Sequence, residues 1–183
     1  MTIASMITLT RIALIPAFMW AMLSGHPYSA VLALLIFIIA SITDGVDGYV
    51  ARRFNQVTTF GKFIDPLADK LLVTSALLLF VQFGQMSAVA AMIIIAREFL
   101  VTSLRTVAMA EGQVIPTGWE GKLKTTVQIV CIAFLLIRRS VANQFPDPSE
   151  VWDLTAVWLM VAVTVWSGVA YLYRHRDVLR NPK

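Results

Sequence analysis

This sequence is poor in charged residues and nearly free of cysteine. Only 14% of its 183 residues are charged, whereas 58% are hydrophobic and the mean hydropathy is +0.74. Soluble domains carry about a quarter of their residues as charged side chains, so the composition indicates an integral membrane protein instead. The single cysteine, Cys131, forms no intrachain disulfide, and its apolar neighbours indicate a packed side chain.

Three further features are missing from the sequence. Its basic residues are dispersed among apolar runs rather than gathered in a solvated patch, so we expect no nucleic-acid partner. The first apolar stretch opens with Arg11 and lacks a basic leader and a small-residue cleavage site, so we expect it to be retained as a membrane helix. No repeat or low-complexity tract interrupts the chain, which predicts a single domain over residues 1–183.

Six stretches are long and apolar enough to cross a bilayer, which takes about 20 residues of helix. Turn-forming residues separate them. The sequence therefore predicts an all-α integral membrane protein with six transmembrane helices, at roughly residues 6–24, 29–54, 60–83, 86–111, 119–140 and 151–173.

The placement of Lys and Arg predicts the orientation of these helices. With a cytoplasmic N-terminus, most basic residues fall at cytoplasmic helix ends, and only Arg138 and Arg139 fall at the opposite ends. Basic residues accumulate on the cytoplasmic side of membrane proteins. We therefore expect a multi-pass protein of the cell membrane, with both termini and the active site facing the cytoplasm.

Four aspartates lie inside two of the predicted spans: Asp44, Asp47, Asp65 and Asp69. Each ionised carboxylate costs about 2.5–3.5 kcal/mol at the centre of a bilayer-spanning helix, so these charges require neutralisation. Spacings of three and four residues place each pair on one helix face, and the short connection predicts antiparallel neighbouring helices. Facing carboxylates suit divalent cations, and paired cations can clamp the oxygens of a phosphoryl displacement.

Two alternatives remain open for these aspartates. They could pair with nearby basic residues, namely Arg52, Arg53, Lys62 and Lys70. Intramembrane acids also mark the cation or proton pathways of transporters. The outer halves of the second and third helices are almost wholly apolar, which argues against a transporter.

The aspartates belong to the pattern Asp44-x2-Asp47-Gly48-x2-Ala51-Arg52-x8-Gly61-x3-Asp65-x3-Asp69. At every fixed position it resembles the signature of the CDP-alcohol phosphotransferases. The resemblance implies a six-helix membrane enzyme, usually a homodimer, that moves a phosphatidyl or similar group from a CDP-linked donor to an alcohol and releases CMP. It implies two divalent cations, Mg²⁺ or alternatively Mn²⁺, held by the first three aspartates. Asp69 is then the catalytic base, with a share in metal binding.

Small residues and one arginine surround the aspartates. Close helix packing explains the small residues equally well, but together they also leave room for a nucleotide, and Arg52 can neutralise a phosphate. The predicted donor-binding residues are Thr8, Gly48, Ala51, Arg52 and Gly61. Thr8 lies in an N-terminal segment that differs from the usual family pattern. Family members often have an Asn-Ile-Pro run before Thr-x2-Arg, and that run is missing here. Helix capping is an alternative role for Thr8.

A second set of charges follows on the fourth and fifth predicted helices: Arg97, Arg105, Lys122 and Lys124. Buried arginines need anions, so these residues predict a receptor for a small phosphate-bearing acceptor. Glu98 could instead satisfy one arginine, and Lys124 could extend to the membrane interface.

The segments IAREFLVTSLR and GKLKTT resemble the phosphatidylglycerophosphate synthase branch of the family. That resemblance implies CDP-diacylglycerol and sn-glycerol 3-phosphate as substrates, with phosphatidylglycerophosphate and CMP as products. A sibling enzyme with another acceptor, such as inositol phosphate, serine or a phospholipid, is the alternative. It would be favoured if Arg97 or Lys122 faced lipid.

Overall fold

The structure, a computed structural model, describes residues 3–54, 59–110, 118–142 and 150–174. The side chains of residues 3–8, 44–54, 59–67, 69, 110, 142 and 150 lie outside that description. All regular structure in the described ranges is helical, in the order α1 (Ile3–Leu23), α2 (Ser29–Phe54), α3 (Thr59–Gln82), α4 (Ala88–Ala110), α5 (Trp119–Ala142) and α6 (Glu150–Arg174). The predicted helices are confirmed, with bounds that agree to within about three residues.

Local turn chemistry sets several of these bounds. Gly25 follows α1 with a φ of 65°, and Gly84 follows α3 with a φ of 73°. Glycine adopts this left-handed conformation without steric cost, which makes it a common residue just past a helix end. At the start of α4, Oγ of Ser87 accepts a hydrogen bond from the backbone N–H of Ala90 at 3.1 Å. Such capping satisfies a donor that has no partner within the helix.

The chain packs as two compact units. The first contains Met1–Phe83 and Ile132–Pro148, and the second contains Gly84–Cys131 and Ser149–Lys183. Helix α5 therefore contributes its N-terminal half to the second unit and its C-terminal half to the first. The prediction that residues 1–183 form a single domain stays a prediction.

In the first unit, α1 packs against α2 and α3, and α2 also contacts α3. The rings of Phe18 and Phe37 are fully buried, with centroids 6.1 Å apart. On α2, Ala30, Ala33 and Ala40 are buried on the same face as Phe37, at spacings of three and four residues. Small side chains on that face let neighbouring helices approach closely.

In the second unit, α4 packs against α6. Long polar side chains join α5 to these helices. At the end of α6, Nη2 of Arg174 lies 2.5 Å from Oε1 of Glu120, in the first turn of α5. The rings of Trp119 and Trp166 lie nearby, with centroids 5.5 Å apart and planes tilted by 58°.

Large apolar side chains remain exposed along the helices of both units. Representative residues are Leu35, Ile39 and Ile42 on α2, Val89, Met92 and Phe99 on α4, and Trp158, Val165 and Val169 on α6. Soluble monomers rarely expose so much contiguous apolar surface. Within the described ranges, one helix is long and apolar enough to cross a membrane by length and composition alone, Val151–Arg174. Shorter apolar segments cover Leu9–Leu23, Ser29–Thr43 and Lys70–Gln82. An all-α protein is thus confirmed, and six membrane spans remain a prediction.

Charged residues shorten the apolar runs of two other long helices. Helix α4 carries Arg97, Glu98 and Arg105, and the start of α5 carries Glu120 and Lys124. These charges are not on the exposed surface: Glu120 and Lys124 are buried and the three residues of α4 are half-buried. Charges held inside a helical protein and paired there are the kind that membrane helices tolerate.

Candidate active site

The aspartate motif lies on two helices of the first unit that contact each other. Asp44 and Asp47 are in α2, and Asp65 and Asp69 are in α3. Carboxylate oxygens are the hard ligands that Mg²⁺ takes in proteins, so the chemistry of this donor set fits a divalent cation. The four side chains lie outside the described residues, and so do those of the predicted donor-binding residues Thr8, Gly48, Ala51, Arg52 and Gly61. Their assigned roles stay predictions.

Described residues beside the motif include Ala68 on α3 and Thr43 on α2. Ala68, between Asp65 and Asp69 in the sequence, is fully buried. On α2, Oγ1 of Thr43 donates to the carbonyl of Ile39, so this hydroxyl is occupied by the turn that precedes the motif. Among the residues whose side chains are described, His, Cys, Asp and Glu form no group of three that could hold a metal ion. The aspartate motif therefore remains the candidate metal site.

The second unit contains a buried ion-pair network that begins at Glu98. Its Oε1 atom accepts hydrogen bonds from Nζ of Lys124 and, at 3.4 Å, from Nη1 of Arg97. The side chains are only 5% exposed for Lys124, 13% for Arg97 and 19% for Glu98. One carboxylate therefore brings together two of the four residues predicted to bind the acceptor phosphate.

Arg97 is also held from α6. Its Nη2 atom donates a hydrogen bond to Oγ of Ser167 at 3.1 Å. Its stem passes over Gly168, where an added Cβ would lie 3.0 Å from Cγ of Arg97. Nε of Arg97 is buried without a hydrogen-bond partner among the described residues. The guanidinium is thus fixed on two sides and keeps one buried donor for a further group.

The two remaining predicted phosphate ligands lie in different environments. Arg105 is half-buried, and its Nε is likewise buried without a partner in the described part of the chain. It lies close enough to Arg97 for the two positive charges to repel each other. Lys122 is exposed, although it is only two residues from the buried Lys124. The acceptor-binding roles of all four residues stay predictions. Lys124 is buried, Arg97 and Arg105 are half-buried, and Lys122 is exposed.

Further polar residues, not predicted from the sequence, lie in the same interior. Glu120 and Gln128 are buried on α5, each four residues from the buried Lys124, so the three form one polar stripe along the helix. Thr164 and Ser167 are buried on α6. The four-residue spacing on α5 was a signal available in the sequence. No comparable signal marked Ser167, because isolated small polar residues are common in membrane helices.

Among the described residues, the charged side chains that meet at Glu98 are cationic. Glu120 is paired with Arg174, whereas Glu98 contacts Arg97 and Lys124. Arginine suits phosphate because its planar fork matches phosphate oxygens. Binding of an acceptor phosphate by this group stays a prediction.

A family model described as CDP-alcohol phosphatidyltransferase matches residues 1–166. The chain belongs to the CDP-alcohol phosphatidyltransferase family. The resemblance carried by the aspartate motif is thereby confirmed, and so is an enzyme of the transferase class.

Members of the CDP-alcohol phosphatidyltransferase family resemble this chain over nearly its whole length. A CDP-diacylglycerol–glycerol-3-phosphate 3-phosphatidyltransferase of Bacillus subtilis is 43% identical, over 96% of this chain and 95% of its own. A probable phosphatidylglycerophosphate synthase of Mycobacterium tuberculosis is 37% identical, over 96% and 83%. A CDP-diacylglycerol–glycerol-3-phosphate 3-phosphatidyltransferase of Haemophilus influenzae is 35% identical, over 91% and 89%.

Proposed function

We propose that this protein transfers the phosphatidyl group of CDP-diacylglycerol to sn-glycerol 3-phosphate, giving phosphatidylglycerophosphate and CMP. The observation that carries the proposal is the 43% identity, over 96% of the chain, with a relative that bears this activity in its name. The complete aspartate motif and the grouping of Arg97 and Lys124 at Glu98 support it.

In the proposed reaction, the 1-hydroxyl of the acceptor attacks the β-phosphate of the donor. A new phosphorus–oxygen bond forms as the bond to the departing CMP breaks. Asp69 accepts the proton of the attacking hydroxyl, which is the part a carboxylate only loosely tied to metal can take. Asp44, Asp47 and Asp65, with a share from Asp69, would hold two divalent cations, Mg²⁺ or Mn²⁺. When bound, these ions would supply positive charge that offsets the charge of the diphosphate and of the leaving CMP.

The donor is proposed to lie against the small residues of the motif. Gly48, Ala51 and Gly61 leave room for the nucleotide, and Arg52 neutralises a phosphate, with Thr8 contributing from α1. The support for Gly48, Ala51, Arg52 and Gly61 is their position within the aspartate motif, and the support for Thr8 is its place in the Thr-x2-Arg segment that ends at Arg11.

The acceptor phosphate is proposed to bind Arg97, Arg105 and Lys124, with Lys122 as a fourth contact. The buried Nε atoms of the two arginines support this assignment, since a phosphate offers them acceptor oxygens. Glu98 offsets part of the positive charge in the absence of substrate.

We propose a multi-pass protein of the cell membrane, with six spans, cytoplasmic termini and active site, that works as a homodimer. The helices are 21 to 26 residues long, or about 31–39 Å at 1.5 Å per residue, which matches a hydrocarbon core of about 30 Å. The exposed apolar side chains on α2, α4 and α6 fit contact with lipid.

A sibling enzyme with a different acceptor is the second candidate. The exposed position of Lys122 favours it, because one of the four predicted phosphate ligands lies on the outer side of α5. Arg97 is half-buried and bonded to Ser167 and Glu98, which favours glycerol 3-phosphate as the acceptor.

Purified protein in vesicles, supplied with CDP-diacylglycerol and labelled sn-glycerol 3-phosphate, tests the proposal. CMP and labelled lipid are expected in equal amounts with Mg²⁺ and neither after chelation by EDTA. Parallel reactions with inositol phosphate and serine test the sibling enzyme. CMP release with one of those acceptors and none with glycerol 3-phosphate would replace the proposed function.

A further inference from the structure

Helix α6 supplies a contact for Arg97 that the sequence analysis did not anticipate. Ser167 and Gly168 are adjacent on this helix, just beyond the residues that match the family model. Both are buried. Ser167 accepts a hydrogen bond from Arg97, and Gly168 lacks the Cβ that would contact the stem of Arg97.

The hydroxyl of Ser167 is oriented as a hydrogen-bond acceptor for the guanidinium. Its Oγ–H donates to the carbonyl of Thr164 at 3.0 Å, which commits the hydroxyl hydrogen to the preceding turn of α6. The lone pairs of Oγ are then available to Nη2 of Arg97, which lies 3.1 Å away. Because a guanidinium donates hydrogen bonds and never accepts them, Oγ of Ser167 has to be the acceptor in this contact.

Gly168 provides the space through which the stem of Arg97 passes. An added Cβ at this position would lie 3.0 Å from Cγ, 3.7 Å from Nε and 3.9 Å from Cδ of Arg97. A carbon–carbon distance of 3.0 Å is below the optimum of about 3.5–4.0 Å, so the arginine stem would have to move by tenths of an ångström. Gly168 therefore fixes where Arg97 can lie.

Together with Glu98 of α4, these contacts from α6 define the position of Arg97. We propose that Ser167 and Gly168 are positioning residues that set the Arg97 guanidinium for the phosphate of the acceptor. This inference rests on the proposed function, since it assigns the acceptor phosphate to Arg97. Neither residue touches the reacting atoms.

Two substitutions test the inference with different physical consequences. Ser167→Ala removes the hydrogen bond, and Gly168→Ala displaces the arginine stem. Each is expected to raise KM for sn-glycerol 3-phosphate by about five- to tenfold, which is the order of one typical net hydrogen bond, because Arg97 keeps its charge and its contact with Glu98 and loses only part of its positioning. KM for CDP-diacylglycerol is expected to change less than twofold.

Thermal unfolding in detergent separates positioning from a general structural role. Alanine is a better helix former than glycine, so Gly168→Ala is expected to keep or raise the unfolding midpoint while it weakens acceptor binding. Val169→Ala, on the exposed side of the same turn, is the matched control and is expected to leave both KM values unchanged.

The possible results distinguish failure of the positioning inference from failure of the proposed function. If the wild-type protein fails to join glycerol 3-phosphate to the lipid, the proposed function fails. If the wild type is active and both variants keep its acceptor KM, the inference is overturned. Equal increases in both KM values together with a lower unfolding midpoint would also overturn it, because they indicate loss of structure.

Discussion

Lys124 of α5 and Glu98 of α4 form an ion pair in the interior of the second unit. Nζ of Lys124 contacts Oε1 of Glu98, and the two side chains are 5% and 19% exposed. Lys122, two residues earlier on the same helix, is exposed. Two lysines only two positions apart on the same helix therefore lie in opposite environments, one buried and one exposed.

Replacing each of these lysines separately tests the difference. Lys124→Ala is expected to raise the acceptor KM by at least about tenfold, since it removes a desolvated charge near Arg97. Lys122→Ala is expected to have a smaller effect, because an exposed cation is screened by water and salt. Initial rates at varied glycerol 3-phosphate measure both, and an equal or larger effect of Lys122→Ala would contradict the grouping of Lys124 with Arg97.

Arg105 offers a buried Nε–H without a partner in the described part of the chain. Arg105→Ala is expected to raise the acceptor KM by about ten- to a hundredfold, which corresponds to one or two hydrogen bonds to a charged phosphate. KM for CDP-diacylglycerol should stay nearly constant. Arg105→Lys keeps the charge but not the fork of donors and should fall between wild type and Arg105→Ala. An unchanged acceptor KM in Arg105→Ala would refute the role of Arg105 in the anion site.

Asp69 is assigned as the base by its place in the motif. Asp69→Asn keeps the shape of the side chain but cannot accept the proton, so we expect turnover to fall by about 10²–10⁴-fold. Binding of the CDP-linked donor, measured by equilibrium retention of labelled CDP-diacylglycerol, should remain largely intact. Strong residual turnover in this variant would remove the base assignment and leave Asp69 as a metal ligand alone.

Arg174 ties the end of α6 to the start of α5 through Glu120. The arginine side chain is 56% exposed and that of Glu120 is 11% exposed, so water screens the pair on one side only. Arg174→Ala is expected to cost about 1 kcal/mol of stability, or about 2–4 °C in the unfolding midpoint. The loss should shrink at high salt, which screens the exposed side of the pair. A midpoint that is unchanged at low salt would show that the pair does not stabilise the fold.

Much of the fold followed from the apolar pattern. The six helix positions depended on runs of apolar residues broken by turn-forming residues, and the glycines at 25 and 84 have the left-handed φ angles that such breaks use. Assigning a membrane span to every helix is a further step. Within the described ranges, the segment in α6 alone meets that test by length and composition, and charged residues interrupt the apolar runs of α4 and α5.

The anion site was predictable in its residue types but not in its partners. Arg97 and Lys124 were selected because buried cations need anions, and Glu98 was considered only as a competitor for one arginine. In the structure Glu98 binds both. Ser167 and Gly168 were not selected at all, since a serine and a glycine within a long apolar helix usually signify close packing.

The sequence by itself determined the chemistry of this protein, because a fixed spacing of aspartates along helices defines a donor set and a family whatever the rest of the chain does. Tertiary structure alone decided which cations act together. Residues 122 and 124 lie about 200° apart around a helix, so only the direction from which α4 packs determines which lysine is buried against Glu98. The same packing brings α6 against Arg97, and no local pattern in the sequence contains that contact.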